Sequence, residues 1–295
     1  MQIITKGMNR LQRYTPIDLI TLVYVTITGI YILAGHGSLN NEWIHIAIRI
    51  GIAGAIIALP KIDVKGSSIL QYLRAAYPLA LLGFFYSETD YLNNILLPNQ
   101  DALVETWELW MWGYHPSLEF SKNISSYWFN ELMNFGYFSY YLLVFTLSVW
   151  LFIKNRERFA QSVFIVACSF YIFYTIFILF PVAGPQFYFA QPLNQIPDAG
   201  IFRWLVKLAA AIGEGETAAF PSSHVGITVM LVFIAYRWAK PLFIYFLLIG
   251  IILCFSTVYI KAHYAVDIIA GLLLAPIIYF LSAKAYSLLN KRFYC

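Results

Sequence analysis

Apolar residues run in long blocks separated by short polar stretches, from about position 17 to position 283. A helix needs about 20 predominantly apolar residues to cross the hydrocarbon core of a bilayer, with a range of roughly 17 to 25. Eight blocks meet this need, at about 17–34, 43–60, 69–86, 132–153, 162–182, 221–237, 241–257 and 264–283. The third is the weakest, because Arg74 and Pro78 interrupt it. The pattern therefore predicts an all-α fold: a polytopic transmembrane helix bundle of about eight spans, forming one integral-membrane domain over 1–295. Two long connections remain, 87–131 and 183–220.

The charges add an orientation. Lys6, Arg10 and Arg13 precede the first block, Lys61 and Lys65 follow the second, and Lys154, Arg156 and Arg158 follow the fourth. Arg237 and Lys240 follow the sixth, and Lys284, Lys291 and Arg292 the eighth. The opposite connections are much longer, yet hold only Lys122, Arg203, Lys207 and Lys261. Cytoplasmic loops carry the excess of Lys and Arg, so both termini are expected in the cytoplasm and the long connections on the outer face. An even number of spans requires the same arrangement. The first block is long enough to stay as a span, and no cleavable signal pattern precedes it.

Composition sharpens this reading. The chain is 60% hydrophobic and 12% charged, with a mean hydropathy of +0.68. A soluble domain is nearer about a quarter charged. The net charge of +4 is scattered in short clusters, so no nucleic-acid partner is expected. Cys168, Cys254 and Cys295 suggest no disulfide framework. The acidic, aromatic stretch ETWELWMWGYHPSLEF fits interfacial helices or a flap resting on the membrane, with Trp107, Trp110 and Trp112 in the headgroup zone.

Three expected outer-face stretches carry chemistry: LFPVAGPQFYFAQP at 179–192, AAFPSSHVG at 218–226 and STVYIKAHYAVDIIAG at 256–271. His263 and Asp267 are four residues apart at a helix start, which places them on one face. A carboxylate there can fix the imidazole tautomer and raise the basicity of its other nitrogen. Pro221 is suited to open the next helix, with Ser222 and Ser223 in its first turn, where N–H groups attract phosphate. His224 beside them is a proton donor for a leaving oxygen. Together these groups describe phosphoryl transfer. No carboxylate cluster suggests Mg²⁺, so neither metal nor cofactor is expected.

At these residues the chain resembles the type 2 phosphatidic acid phosphatase superfamily. That family's second motif, Pro-Ser-Gly-His, compares with Pro221-Ser222-Ser223-His224. Its third, Ser-Arg-x5-His-x3-Asp, compares with Ser256-Thr257, His263 and Asp267 at the same spacing. The resemblance covers about 160–285 and implies a six-helix-type phosphatase core there. It implies His263 as nucleophile, Asp267 as its orienter, His224 as acid and then base, and Ser222 and Ser223 in the phosphate pocket. The family's first motif, Lys-x6-Arg-Pro, is absent from 179–192, and Thr257 stands where the third motif has arginine. Lys261 is the nearest substitute cation, or a side chain snorkelling to headgroups. Arg203 and Lys207 fit an amphipathic helix or a ligand site. Gln186, Tyr188 and Gln191 are pocket candidates.

The altered cationic motif is similar to the inositol phosphorylceramide synthase-like branch. It implies transfer of a phosphoalcohol headgroup from a lipid phosphate donor to a lipid acceptor, or to water in a phosphatase. A transporter using the histidines as a proton relay, or an inactive assembly partner, are the other readings.

Overall fold

A computed structural model describes residues 14–294 except 63, 65, 191–195 and 214. Gln191, Lys6, Arg10, Arg13, Lys65 and Cys295 lie outside the described residues. The fold is all-α, with no strand among the described residues. Helices stand at all eight expected places: α1 (Pro16–Ala34), α2 (Glu42–Ala58), α3 (Ser68–Leu92), α6 (Tyr127–Lys154), α7 (Arg156–Leu179), α10 (Ser223–Trp238), α11 (Lys240–Tyr259) and α12 (Ala265–Tyr294). The long connections hold four more: α4 (Asp101–Trp112), α5 (Pro116–Asn123), α8 (Pro185–Tyr188) and α9 (Ile201–Gly213).

Six of the eight are long and apolar enough to cross a membrane. The other two fall short for different reasons. α10 has only 16 residues, and α3, at 25 residues, is diluted by Arg74, Glu88 and Asp90. α3 nevertheless runs unbroken through Pro78.

The turns between neighbouring helices follow from local chemistry. α6 and α7 are separated by Asn155 alone, whose side chain accepts the Arg158 N–H at 3.1 Å and so caps α7. α10 and α11 are separated by Ala239 alone, and Pro241 in the first turn of α11 keeps the two from merging. α7 lies at the centre of the bundle, packed against α1, α3, α6, α10 and α12. Phe164, Phe173, Phe177 and Ile165 on α7 interlock with Val225, Ile227, Met230 and Ile234 on α10, all buried. Because α10 is covered on nearly every side, it is apolar all round rather than along one stripe.

The charges inside α2 and α3 are paired, in a way that spacing along one helix cannot anticipate. The acids on the same helix as Arg74 are Glu88 and Asp90. Glu88 is 14 residues further along the same helix, about 21 Å away. Arg74 instead binds Asp18 of α1 through both guanidinium nitrogens, at 2.9 and 2.6 Å, and the Tyr77 hydroxyl joins at 3.0 Å. Glu88 takes a bidentate Arg49 from α2 at 2.7 and 3.0 Å, with His45 at 2.9 Å. His45 is thus a partner of a buried carboxylate. Buried charges persist only when paired in this way.

Candidate active site

The three chemistry-bearing stretches converge. The Ala219 N–H donates to Val182 O at 3.0 Å, the Gln186 N–H to Lys261 O at 3.0 Å, and the Ser222 N–H to Asp267 O at 3.1 Å. Two glycines permit this closeness. Gly184 has φ +97°, and a Cβ there would lie 2.9 Å from Ala262 O. A Cβ on Gly271 of α12 would lie 2.6 Å from Ser222 O, so glycine lets α12 reach the start of α10.

α10 does not start at Pro221. Ser222 is its N-cap, accepting the Val225 N–H at 3.4 Å, and Pro221 precedes the helix. A side-chain oxygen at the N-cap satisfies one of the first free N–H groups, and serine has one where proline does not. The Ser222 hydroxyl is therefore engaged in capping. Ser222 and Ser223 are buried and do not line the cavity beside the histidines.

His224 and His263 touch: Nδ1 of the first lies 3.2 Å from Nε2 of the second. His263 Nδ1 is 2.7 Å from Ala219 O and 3.4 Å from Asp267 Oδ2. A carbonyl only accepts, so His263 Nδ1 carries the hydrogen and Nε2 holds the lone pair. His224 Nδ1–H is then the donor between the rings. The shorter orienting contact comes from a backbone carbonyl rather than from Asp267. Asp267 Oδ2 instead accepts the Tyr264 N–H at 2.8 Å and so caps the start of α12.

Two tyrosines of α6 hold the His224 ring. Tyr137 stacks on it at 4.8 Å and Tyr140 lies at 4.6 Å. A small cavity of about 10 Å³ beside the histidines is lined by Tyr86, Tyr137, Gln186 and Thr217 together with His224 and His263. That is room for roughly one oxygen atom or one water.

The other candidates are placed elsewhere. Lys261 is fully buried, its Nζ donates to Ser117 O at 2.7 Å, and it does not line the cavity. It thus ties α5 to the α11–α12 turn instead of reaching headgroups, and burial pushes its ammonium down to about 8. Tyr188 donates to Glu105 Oε2 at 2.9 Å. Arg203 and Lys207 lie on α9 near Asp198, with Lys207 Nζ 2.5 Å from its carboxylate. The N-terminus of α9 rests on Glu131, which accepts the Phe202 and Arg203 N–H groups at 3.1 Å each. Tyr259 and Tyr264 are buried packing residues whose hydroxyls reach Ile124 O and Asp101.

Sequence reasoning missed the inner face of α4. Asp101, Val104 and Glu108 share it and are wholly buried. Asp101 accepts the Ala183 N–H at 2.6 Å, the Gly184 N–H at 2.8 Å and the Tyr264 hydroxyl at 2.9 Å. Glu108 accepts the Ala265 N–H at 2.7 Å, at the start of α12. Trp107 also turns inward, against Phe180 and Phe220, while Trp110 is exposed. The available signal was two carboxylates seven residues apart in an amphipathic stretch, which puts them on one helical face.

Burial pushes the Glu108 carboxyl up to about 7, with the Ala265 N–H opposing and Asp267 adding to the rise. The folded value exceeds the free value of 4.5, so the fold favours the protonated form. The stability this proton supplies is complete below about pH 4.5 and is lost as pH rises towards 7. Glu108→Gln, which keeps the acceptor for Ala265, should flatten that part of the pH profile. Melting temperatures of both proteins in detergent at pH 5 and pH 8 check this, and equal slopes would refute it.

The PAP2 superfamily matches residues 110–281, reaching further towards the N-terminus than the motifs themselves. A PA-phosphatase related-family protein of Dictyostelium discoideum is 22% identical over 167 residues, 48% of this chain and 30% of the relative. The chain thus aligns with under a third of that relative's length. No solved structure matches. The family match extends over more than half of the 295 residues, and on that ground the chain belongs to the PAP2 superfamily.

Proposed function

We propose that this protein is a membrane lipid phosphotransferase that moves a phosphoalcohol headgroup between lipids through a phosphohistidine on His263. The observation that carries the proposal is the histidine pair: His263 Nδ1 is held by Ala219 O at 2.7 Å, and its Nε2 is directed at His224 Nδ1 at 3.2 Å. In the first step Nε2 attacks phosphorus. The N–P bond forms as the bond from phosphorus to the lipid oxygen breaks, and that oxygen takes the proton from His224. In the second step an acceptor hydroxyl gives its proton to His224 and attacks phosphorus, and the N–P bond breaks. A spacing of 3.2 Å leaves no room for a phosphoryl group between the rings, so productive binding must part them. The site faces the outer side of the membrane in this reading. Between α5, α11 and α12 lies an open, largely apolar groove of about 890 Å³ that includes Ala265, two residues from His263. Such a groove suits a lipid tail.

Water as acceptor would make the same site a phosphatase. Purified protein in detergent, given phosphatidylinositol with radiolabelled phosphorus plus ceramide, should transfer the label to ceramide. Without acceptor it should trap label on His263. Parallel assays use phosphatidic acid and an isoprenyl diphosphate. Free phosphate without headgroup transfer would overturn the transferase reading in favour of the phosphatase.

A further inference from the structure

No lysine or arginine lines the cavity at the histidine pair among the described residues. Lys261, the nearest cation in sequence, sends its Nζ to Ser117 O. Carboxylates surround the site instead. Asp101 holds the backbone of Ala183, a wall residue, and Asp267 lies 3.4 Å from His263. Asp90 packs on Gly215, another wall residue, where a Cβ would sit 2.6 Å from its Cγ. Thr217 also lines this cavity. It is 4% exposed, and its Oγ1 has no hydrogen-bond partner among the described residues. A buried hydroxyl left unsatisfied is costly, and a ligand oxygen would relieve it.

We infer that Thr217 is a neutral hydrogen-bond donor to a phosphate oxygen, and that the site selects a phosphodiester monoanion over a phosphomonoester dianion. The inference rests on the phosphotransferase reading for its chemistry, and it names the class of donor lipid. No lysine or arginine lines the cavity among the described residues, so the second negative charge of a dianion would be buried without a fixed counter-charge, in a medium of low dielectric. A diester is also the substrate whose phosphorus keeps an alcohol substituent after attack, as headgroup transfer requires.

The test uses the full chain in detergent, titrated at pH 8 with dihexanoyl phosphatidylmethanol and dihexanoyl phosphatidic acid. The tails are the same; the first phosphate is a monoanionic diester and the second is mainly a dianionic monoester. Thermal stabilisation reads the dissociation constants. The diester is expected to bind at least about tenfold more tightly. Thr217→Val should weaken it about tenfold, the scale of one hydrogen bond to a charged group, and Thr217→Ser should stay within about threefold. A monoester bound as tightly as the diester, or Thr217→Val matching wild type, overturns the inference. The comparison on wild-type protein stands even if the valine variant does not fold. A protein that prefers the diester but never carries label on His263 keeps this inference and loses the phosphotransferase reading. One that carries label on His263 but prefers phosphatidic acid does the reverse.

Discussion

His263→Ala is expected to reduce lipid phosphate turnover by about 10⁴-fold or more, the scale seen when a covalent nucleophile is removed. The His263 side chain is 2% exposed and spans a gap between Ala219 O and His224, so alanine leaves a hole and strands the Ala219 carbonyl and the His224 N–H, at about 1–3 kcal/mol each. The fold should survive with a lowered melting temperature, and a cooperative melting curve is part of the expected result. His224→Gln should lose about 10²- to 10⁴-fold, the range for a general acid and base. It should still accumulate some label on His263 from a donor with a good leaving group. Steady-state turnover, acid-quenched labelling and a melting curve separate these outcomes. A His263→Ala protein that is folded and retains turnover would remove His263 from the mechanism.

Asp101→Ala is expected to be the most damaging change to the architecture of the site. It strands the Ala183 and Gly184 N–H groups and the Tyr264 hydroxyl, all buried. Each unsatisfied group costs about 1–3 kcal/mol, so a loss of about 3–9 kcal/mol is expected. That corresponds to a fall of roughly 10 °C or more in melting temperature. Activity should fall by about 10²-fold in the protein that remains folded, because the 183–184 backbone borders the cavity and small misplacements are expensive. Asp101→Asn should rescue little, since its amide nitrogen would face N–H donors. A melting temperature within about 2 °C of wild type for the alanine variant would show that Asp101 does not hold the loop.

The helices were legible because burial in lipid or in a bundle demands long apolar runs, and α1, α2, α6, α7, α11 and α12 have them. α3 was hard to read because Arg74 and Pro78 look like interruptions. The arginine is tolerated because Asp18, on another helix, neutralises it. The histidines and Asp267 were legible because helical spacing and family motif both act through local sequence. Tyr137 could not be read from the sequence, since nothing within α6 reveals that His224 lies against it.

The sequence by itself determined the all-α class, the order of the helices and the stretches that would meet. These depend on periodicity and spacing over a few residues, whereas His263 precedes α12 and makes its 3.4 Å contact with Asp267 from the turn rather than along a helical face. Only the tertiary structure decided that Ala219 O holds His263, that Lys261 reaches Ser117, and that Asp101, Glu108 and Thr217 belong to the site. Each of these rests on a contact between segments distant along the chain. A backbone carbonyl or a single threonine carries no pattern in its own neighbourhood that could announce its partner.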